Sequence, residues 1–256
     1  MPIHYTVDDG IAEISLDHAP VNALTEALVD DLLAALQRAA DDPAARAVIL
    51  ASTLPRRFCA GLDLAALHGA PPAQIQALLN KLYLRLCAAQ RQLGKPSIAA
   101  VGGAARGGGM TLAISCDMLV AGRSASFGYP EIDVGLLPAI HFSRLHHIVG
   151  RHRAFDLLFT GRSFGADEAQ ALGLVSRLVD DAQLLAEARR VARQLAGKSP
   201  TALRLGRTAF HAAVGAEDLA DAATAVQTFC AVAVSDDGRE GVAAYAGKRT
   251  PRWSSG

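Results

Sequence analysis

The sequence predicts an α/β fold with a helical C-terminal region, and three observations indicate this class. Segments with strand periodicity alternate with segments of helical periodicity up to about residue 180. The last third of the chain carries only helical patterns. Two glycine-bearing segments, 57–64 and 100–110, each follow a predicted strand and precede a predicted helix, which is typical of α/β proteins.

The first elements are a hairpin and a helix. Apolar residues alternate over residues 3–7, an Asp-Gly pair at 9–10 forms the turn, and residues 11–16 make the returning strand. Asn22 or Thr25 is expected to cap the helix that follows, because both side chains can accept a hydrogen bond from a first-turn N–H group.

The middle of the chain continues this alternation. Short apolar runs predict buried strands at 47–51 and 97–101, and apolar residues at helical spacing predict a helix over 72–93 between them. The glycine-rich stretch 102–109 is expected to lead into a short helix, and a further strand is expected near 118–121.

The C-terminal third is predicted to be helical throughout. One apolar face begins at Leu184, and Thr201, Asp218 and Asp236 are placed to begin further helices. We therefore predict a core over residues 1–195 and a helical, oligomerising region over 196–256.

Composition excludes several classes of function. Lys and Arg together number 25, as do Asp and Glu, so the chain lacks the basic surface that nucleic-acid binding requires. No apolar run approaches the roughly 20 residues of a membrane span. The N-terminus has no signal-peptide pattern, so a cytoplasmic location is expected.

The sequence predicts no metal site. Its four cysteines are far apart and form no CxxC pair, so reduced and mostly buried thiols are expected. The eight histidines include no HExxH motif.

The glycine-rich stretch 102–109 matches neither standard phosphate motif. A P-loop needs Lys and Ser or Thr after its last glycine, and the dinucleotide fingerprint needs GxGxxG. Residues 107–109 are instead three consecutive glycines. Taken alone, this triplet is better explained by close packing of a strand on a helix.

Six ordered motifs together are more specific. They are PVNAL at 20–24, FCAGLDL at 58–64, the glycine triplet at 107–109, CDMLVA at 116–121, FGYPEIDVGLLP at 127–138 and FTGRSFGADEAQALGLVSRLV at 159–179. They resemble the enoyl-CoA hydratase/isomerase, or crotonase, family over nearly the whole chain. The resemblance implies a spiral of ββα units followed by helices that form a homotrimer or a dimer of trimers.

The resemblance also implies a reaction centre without a prosthetic group, acting on an acyl-coenzyme A thioester. It implies that the backbone N–H groups of Ala60 and Gly108 stabilise an enolate oxyanion. The chemistry agrees, because a thioester enolate concentrates negative charge on one oxygen and the loss of one such donor typically costs about 2.7–4 kcal/mol. Coenzyme A is expected to contact Leu24, Arg56, Arg57 and Cys59; for the two arginines, a solvated loop is the alternative.

Family hydratases usually carry two glutamates, and only one has a counterpart here. Glu131 of Tyr-Pro-Glu matches the second glutamate and is the expected proton carrier, with an ion-paired surface glutamate as the alternative. The other position is Thr111, which cannot act as a carboxylate base but can position water or bond to its own helix. His141 is a candidate for the missing group, or else a polar residue at a helix start.

The missing carboxylate leaves several reactions open. Double-bond isomerisation needs only one base, and the same scaffold supports thioester hydrolysis and decarboxylation. A catalytically weak acyl-CoA-binding protein and a nucleotide-binding α/β protein are the alternatives from other classes. The sequence does not determine the acyl chain or the pathway, nor the role of Arg106.

Overall fold

The computed structural model describes residues 2–214 and 218–253. Its strands form three sheets. In chain order the strands are β1 (Ile3–Asp8), β2 (Ile11–Leu16), β3 (Ala23–Leu24), β4 (Ala47–Ser52), β5 (Arg57–Cys59), β6 (Gly61–Leu62), β7 (Ser97–Val101), β8 (Ala104–Arg106), β9 (Met118–Gly122), β10 (Ser126–Gly128), β11 (Ser163–Gly165) and β12 (Arg177–Val179). The α/β class is thereby confirmed.

The helices occupy the connections and the C-terminal part of the chain. They are α1 (Glu26–Asp41), α2 (Leu64–Leu67), α3 (Pro72–Leu79), α4 (Leu86–Gln92), α5 (Gly108–Ser115), α6 (Ile140–Val149), α7 (Arg151–Thr160), α8 (Ala166–Ala171), α9 (Leu184–Ala196), α10 (Pro200–Val214), α11 (Asp218–Ala233) and α12 (Asp236–Ala246). Short 3-10 turns lie at Pro130–Val134 and Asp181–Gln183.

The largest sheet has six strands in the order β1-β2-β4-β7-β9-β12. Only the β1–β2 hairpin is antiparallel, and the other neighbours pair in parallel. A second sheet has the order β11-β10-β8-β5, and β3 pairs with β6 alone. Parallel neighbours require crossover segments, and here the crossovers carry the strands of the second sheet as well as helices.

The large sheet is covered on both faces, which explains why β4 and β7 are almost uninterrupted apolar runs. Most buried side chains lie in one extensive cluster with α1, α3, α4 and α5. A smaller cluster packs α9 through Ala188 and Val191 against Ile49, Ile98 and Val120.

The predicted helix over 72–93 is found as three successive segments. A π-helical turn at Asn80–Arg85 joins α3 to α4. A π turn inserts one extra residue into a helix and is frequent at functional sites. Here it carries the buried side chains of Leu82 and Tyr83 toward the centre of the molecule.

The last helix packs backbone to backbone against the 3-10 turn at Pro130–Val134. A Cβ atom on Gly241 of α12 would overlap the carbonyl oxygen of Val134. A Cβ atom on Gly135, which has φ +66°, would lie 2.6 Å from the carbonyl oxygen of Asp237. Glycine at these two positions therefore allows α12 to hold the turn closely.

Helix α10 is attached by a polar anchor. The Arg207 side chain is 8% exposed, and its guanidinium lies 2.8 Å from the Asp117 carboxylate. His211 contacts the same carboxylate, and Asp117 also accepts a hydrogen bond from the backbone N–H of Ser97. Asp117 thus has a structural role, joining α10 to the strand β7.

Candidate active site

The two glycine-bearing segments meet at Gly61 and Gly108. Gly61 has φ +89°, and a Cβ atom there would lie 2.8 Å from the Arg106 carbonyl oxygen and 3.1 Å from the Gly108 nitrogen. A side chain would therefore separate the segments, and glycine is also the residue that adopts this backbone conformation without strain. The close approach places the start of α5 beside β6.

The N-terminus of α5 supplies one candidate oxyanion donor. The first N–H groups of a helix have no partner within that helix, and the helix dipole favours negative charge there. Gly108 is the first residue of α5 and lines a cavity that Glu131 also lines. Gly108 therefore lies at the cavity, and donation from its N–H group to an oxyanion stays a prediction.

Ala60 does not fit the second predicted donor position. Its N–H group donates to the carbonyl oxygen of Val21 at 3.0 Å, so the hydrogen is already engaged inside the protein. The residue lines the cavity, but through atoms other than an available N–H.

Leu62, two residues further on, has the orientation that Ala60 lacks. The N–H group of Asp63 donates to the Leu24 carbonyl of β3 at 3.2 Å. Leu62 is the register partner of Leu24, and in a parallel pair the hydrogen bonds to a residue come from the two neighbours of its register partner, so the Leu62 N–H points away from β3. Leu62 lines the cavity and directly follows the residue that packs against Gly108.

The cavity around these groups has a volume of about 620 Å³. This size is within the range of small-molecule sites. Most of its wall is apolar and includes Leu62, Leu64, Val134, Leu136 and Phe229. Its charged lining residues are Asp63, Arg106, Glu131 and Asp133.

Glu131 extends from the 3-10 turn to the glycine triplet. A Cβ atom on Gly107 would lie 2.6 Å from Glu131 Oε1, so the glycine allows the carboxyl group to lie directly against the backbone. Glu131 Oε2 is buried and has no hydrogen-bond partner among the described residues. Burial raises the pKa of Glu131 to about 7, which suits a group that both accepts and donates protons near neutrality.

Thr111 and His141 form a buried pair that does not line the cavity. The Thr111 hydroxyl oxygen lies 3.2 Å from His141 Nε2, and each residue is 1% exposed. Burial lowers the pKa of His141 to about 3, and the charge of Arg144 lowers it further, so the imidazole is neutral. Neither residue lines the cavity, so Thr111 does not stand in the cavity in place of a carboxylate.

The predicted coenzyme A contacts separate into exposed and buried residues. Arg56 and Arg57 are exposed and lie outside the cavity lining. Arg106 lines the cavity, but its guanidinium donates to the Ser126 carbonyl and hydroxyl oxygens. Burial lowers the pKa of Arg106, and the nearby charge of Arg57 adds to this effect.

Leu24 and Cys59 are fully buried, and neither lines the cavity. Cys59 Sγ donates to the Asn22 carbonyl oxygen at 3.1 Å, and burial raises the pKa of this thiol to about 12. A Cβ atom on Gly108 would lie 2.8 Å from Leu24 Cδ1. Both side chains therefore support the site from behind, and their predicted contact with coenzyme A does not fit the structure.

The described residues contain neither a candidate metal site nor a candidate membrane span. Within residues 2–214 and 218–253, no three or more His, Cys, Asp or Glu side chains are grouped so that they could hold a metal ion. In the same part of the chain, no helix has the length and apolar character needed to cross a membrane.

Comparison with known proteins identifies the family. The model of the family described as enoyl-CoA hydratase/isomerase matches residues 6–256. The chain belongs to the enoyl-CoA hydratase/isomerase family. It is thus an enzyme of the acyl-CoA thioester type, and the predicted family resemblance and crotonase-like fold are confirmed.

The alignments with individual relatives cover most of the length of each relative. The chain is 34% identical over 252 residues to "Probable enoyl-CoA hydratase 2, mitochondrial" of Arabidopsis thaliana, covering 96% of this chain and 82% of the relative. It is 36% identical over 231 residues to the 2,3-dehydroadipyl-CoA hydratase of Escherichia coli, covering 90% and 89%. A crystal structure of an enoyl-CoA hydratase from Mycobacterium avium aligns with TM-score 0.87 at 31% identity, covering 99% of each chain.

Two features of the site were missed from the sequence. The candidate donor at Leu62 depends on which N–H groups β3 engages, and a two-residue strand gives no periodic signal. Tyr83 and Tyr129 lie buried close enough for the charge of Glu131 to raise the pKa of each, in addition to the larger effect of burial. The proline between Tyr129 and Glu131 was the one available hint of a turn that would turn the tyrosine inward.

Proposed function

We propose that this enzyme adds water to the double bond of a 2-enoyl-CoA thioester, using Glu131 as its one proton-transferring carboxyl group. The supporting observation is the position of that group. It is buried against Gly107, next to the start of α5, with a pKa near neutrality. A carboxyl group placed there can reach a substrate whose thioester oxygen lies at the N-terminus of the helix.

The oxyanion donors of this proposal are the N–H groups of Gly108 and Leu62, the second replacing Ala60. The Glu131 carboxylate takes a proton from water while the water oxygen bonds to the β-carbon. The electron pair of the double bond moves onto the thioester oxygen, which the two N–H groups stabilise. The protonated Glu131 then returns the proton to the α-carbon, so one water molecule is added in total.

Isomerisation is the second candidate, and the absence of a carboxylate at position 111 favours it. Glu131 would remove a proton from one carbon of the acyl chain and return it to another, through the same enolate. No water is consumed in this reaction. The apolar cavity wall suits an aliphatic acyl chain in either case.

The deciding experiment incubates a panel of enoyl-CoA thioesters with the enzyme in heavy water and follows them by mass spectrometry. A product heavier by one water molecule supports hydration. Deuterium incorporation without added water supports isomerisation and contradicts the hydratase assignment. Unchanged thioesters that nevertheless raise the melting temperature would instead support a protein that only binds acyl-CoA.

The matched variant is Glu131→Gln, which keeps the shape of the side chain but cannot transfer the proton. We expect kcat to fall by about 10²–10⁴-fold, the usual contribution of a general acid–base group, while thioester binding survives. Equal activity of the variant and the wild type would contradict the role of Glu131.

We further propose that the exposed apolar residues of α10 contact a second copy of the chain, in a homotrimer or dimer of trimers. Leu205, Phe210 and Val214 are 55%, 64% and 62% exposed. Grouped exposed apolar residues of this size are typical of interfaces. Light scattering of the wild type and of Phe210→Asp tests this, because the substitution should reduce the oligomer mass. The cytoplasmic location and the coenzyme A contacts of Arg56 and Arg57 stay predictions.

A further inference from the structure

Three buried polar groups behind the active carboxyl group have unmet hydrogen bonds. They are Glu131 Oε2, Tyr129 Oη and His141 Nδ1, none of which has a partner among residues 2–214 and 218–253. Buried polar atoms are hydrogen-bonded in the great majority of cases, so an unpaired group calls for a specific explanation. Three such groups in one region indicate a common partner.

The three groups belong to residues that meet around Gly107 and Tyr129. The rings of Tyr129 and His141 have their centroids 4.6 Å apart. Gly107 adjoins both Glu131 and His141, because its Cα faces the carboxyl group and its carbonyl lies at the imidazole. Tyr129 precedes Glu131 by two residues and senses its charge.

His141 is held so that only one of its ring nitrogens is available. Nε2 lies 3.2 Å from the Thr111 hydroxyl, and this contact fixes the ring on α5. The imidazole is neutral, so either tautomer leaves Nδ1 with one unmet hydrogen bond. A water molecule satisfies Nδ1 in both cases, since water can donate or accept.

We propose that Tyr129, His141 and Glu131 enclose a buried water site behind the catalytic carboxyl group, and that His141 is a positioning residue acting on Glu131 through this water. Buried waters make about three hydrogen bonds to otherwise unsatisfied groups, which matches the three groups here. The water donates to Glu131 Oε2, so it holds the carboxyl group in place against Gly107 and stabilises its ionised form.

The proposal rests on the proposed role of Glu131 and adds a function for Thr111 and His141. In place of a second carboxylate in the cavity, this chain has a neutral hydrogen-bonded pair outside it. Other charged or titratable groups lie around Glu131 and His141 and must remain unchanged in any test. They are Tyr83 on the π turn, Asp63, Arg106, Asp133 and Tyr245 around the cavity, and Arg144 beside His141.

The test uses two amide variants that separate the two ring nitrogens. The Asn side chain places its polar atoms near the position of Nδ1, and the longer Gln side chain places them near Nε2. His141→Asn therefore retains a partner for the water, while His141→Gln retains only the contact with Thr111. If His141 only fills space in the core, His141→Asn should have the larger effect of the two variants, because Asn leaves the larger void.

The readout is the pKa of Glu131, measured from the infrared C=O stretch that Glu131→Gln removes. A hydrogen bond to a charged group changes an equilibrium by about tenfold, so its loss should raise the pKa by about one unit in His141→Gln. The acid limb of the kcat profile should shift by the same amount, with KM within about twofold. His141→Asn should keep the wild-type titration.

Equal titration of Glu131 in the wild type and both variants, or equal shifts in both variants, would overturn the proposal. If His141→Gln does not fold, as judged by circular dichroism, Tyr129→Phe serves instead, because it removes only Oη, and an unchanged titration there counts against the water site. The infrared measurement needs no turnover. A wild type that converts no thioester, but whose variants titrate as expected, would refute the proposed reaction and leave the water site supported.

Discussion

Gly107→Ala tests whether the backbone of the glycine triplet sets the position of Glu131. The new Cβ atom would lie 2.6 Å from Glu131 Oε1 and 3.0 Å from its Cδ, which is closer than van der Waals contact. The carboxyl group would have to retreat. Misplacement of a catalytic group by about 1 Å can cost about 10²-fold in rate, so we expect kcat to fall by that factor.

The same substitution also carries a backbone cost. Gly107 has φ +49° and ψ −112°, a sparsely populated conformation that costs an L-residue roughly 1–3 kcal/mol. For a chain of this length, that destabilisation lowers the melting temperature by about 2–4 °C per kcal/mol. The enzyme should therefore remain folded at assay temperature while losing most of its turnover.

Gly150→Ala is the matched control. Gly150 joins α6 to α7 with φ +85°, and a Cβ atom there would meet nothing within 4 Å. It should lower the melting temperature without changing kcat, as steady-state assays of both variants can show. Gly107→Ala with kcat within threefold of wild type would refute the argument that contact with Gly107 positions the carboxyl group.

Three further predictions concern stability. Because the folded state raises the pKa of Glu131 above its value in the unfolded chain, the stability linked to this group is complete at low pH and is lost as the pH rises to about 7. In urea titrations, Glu131→Gln should therefore gain stability relative to wild type between pH 4 and pH 8. Thr25→Ala should cost about 1 kcal/mol, because the Thr25 hydroxyl accepts from the Leu28 N–H at the start of α1; an unchanged melting temperature would count against the cap. Arg207→Met should cost about 1.5–3 kcal/mol, since it removes the hydrogen bonds of the buried guanidinium to the Asp117 carboxylate and to the Gln90 and Arg91 carbonyls, and hydrogen exchange should rise first in α10.

Local chemistry was sufficient to predict the regular elements. Asp9 and Gly10 both have positive φ, as the turn of a two-residue hairpin requires. Thr25 caps α1 as predicted. Asn22, the alternative cap, is instead buried with φ +52° and donates to Ser52 Oγ and the Phe58 carbonyl, contacts that only the tertiary fold brings together.

The site was predicted less completely, for a physical reason. Glu131 and Gly108 belong to motifs of several residues, and the structure places both at the cavity. The choice between Ala60 and Leu62 depends on which N–H groups the segment of β3 engages, and a two-residue strand carries no periodic signal for that. The π turn that brings Tyr83 toward Glu131 has no signature in the apolar periodicity of residues 72–93.

The close contact of α12 with the turn that carries Glu131 has a consequence for synthesis. Glu131 leaves the ribosome long before Gly241 and Asp237, whose backbones pack against that turn. Until α12 packs against that turn, the turn lacks the support that holds the Glu131 carboxyl group against the glycine triplet. The nascent chain can thus form its large sheet early, but its reaction centre is completed only when the last helix has been made and folded back.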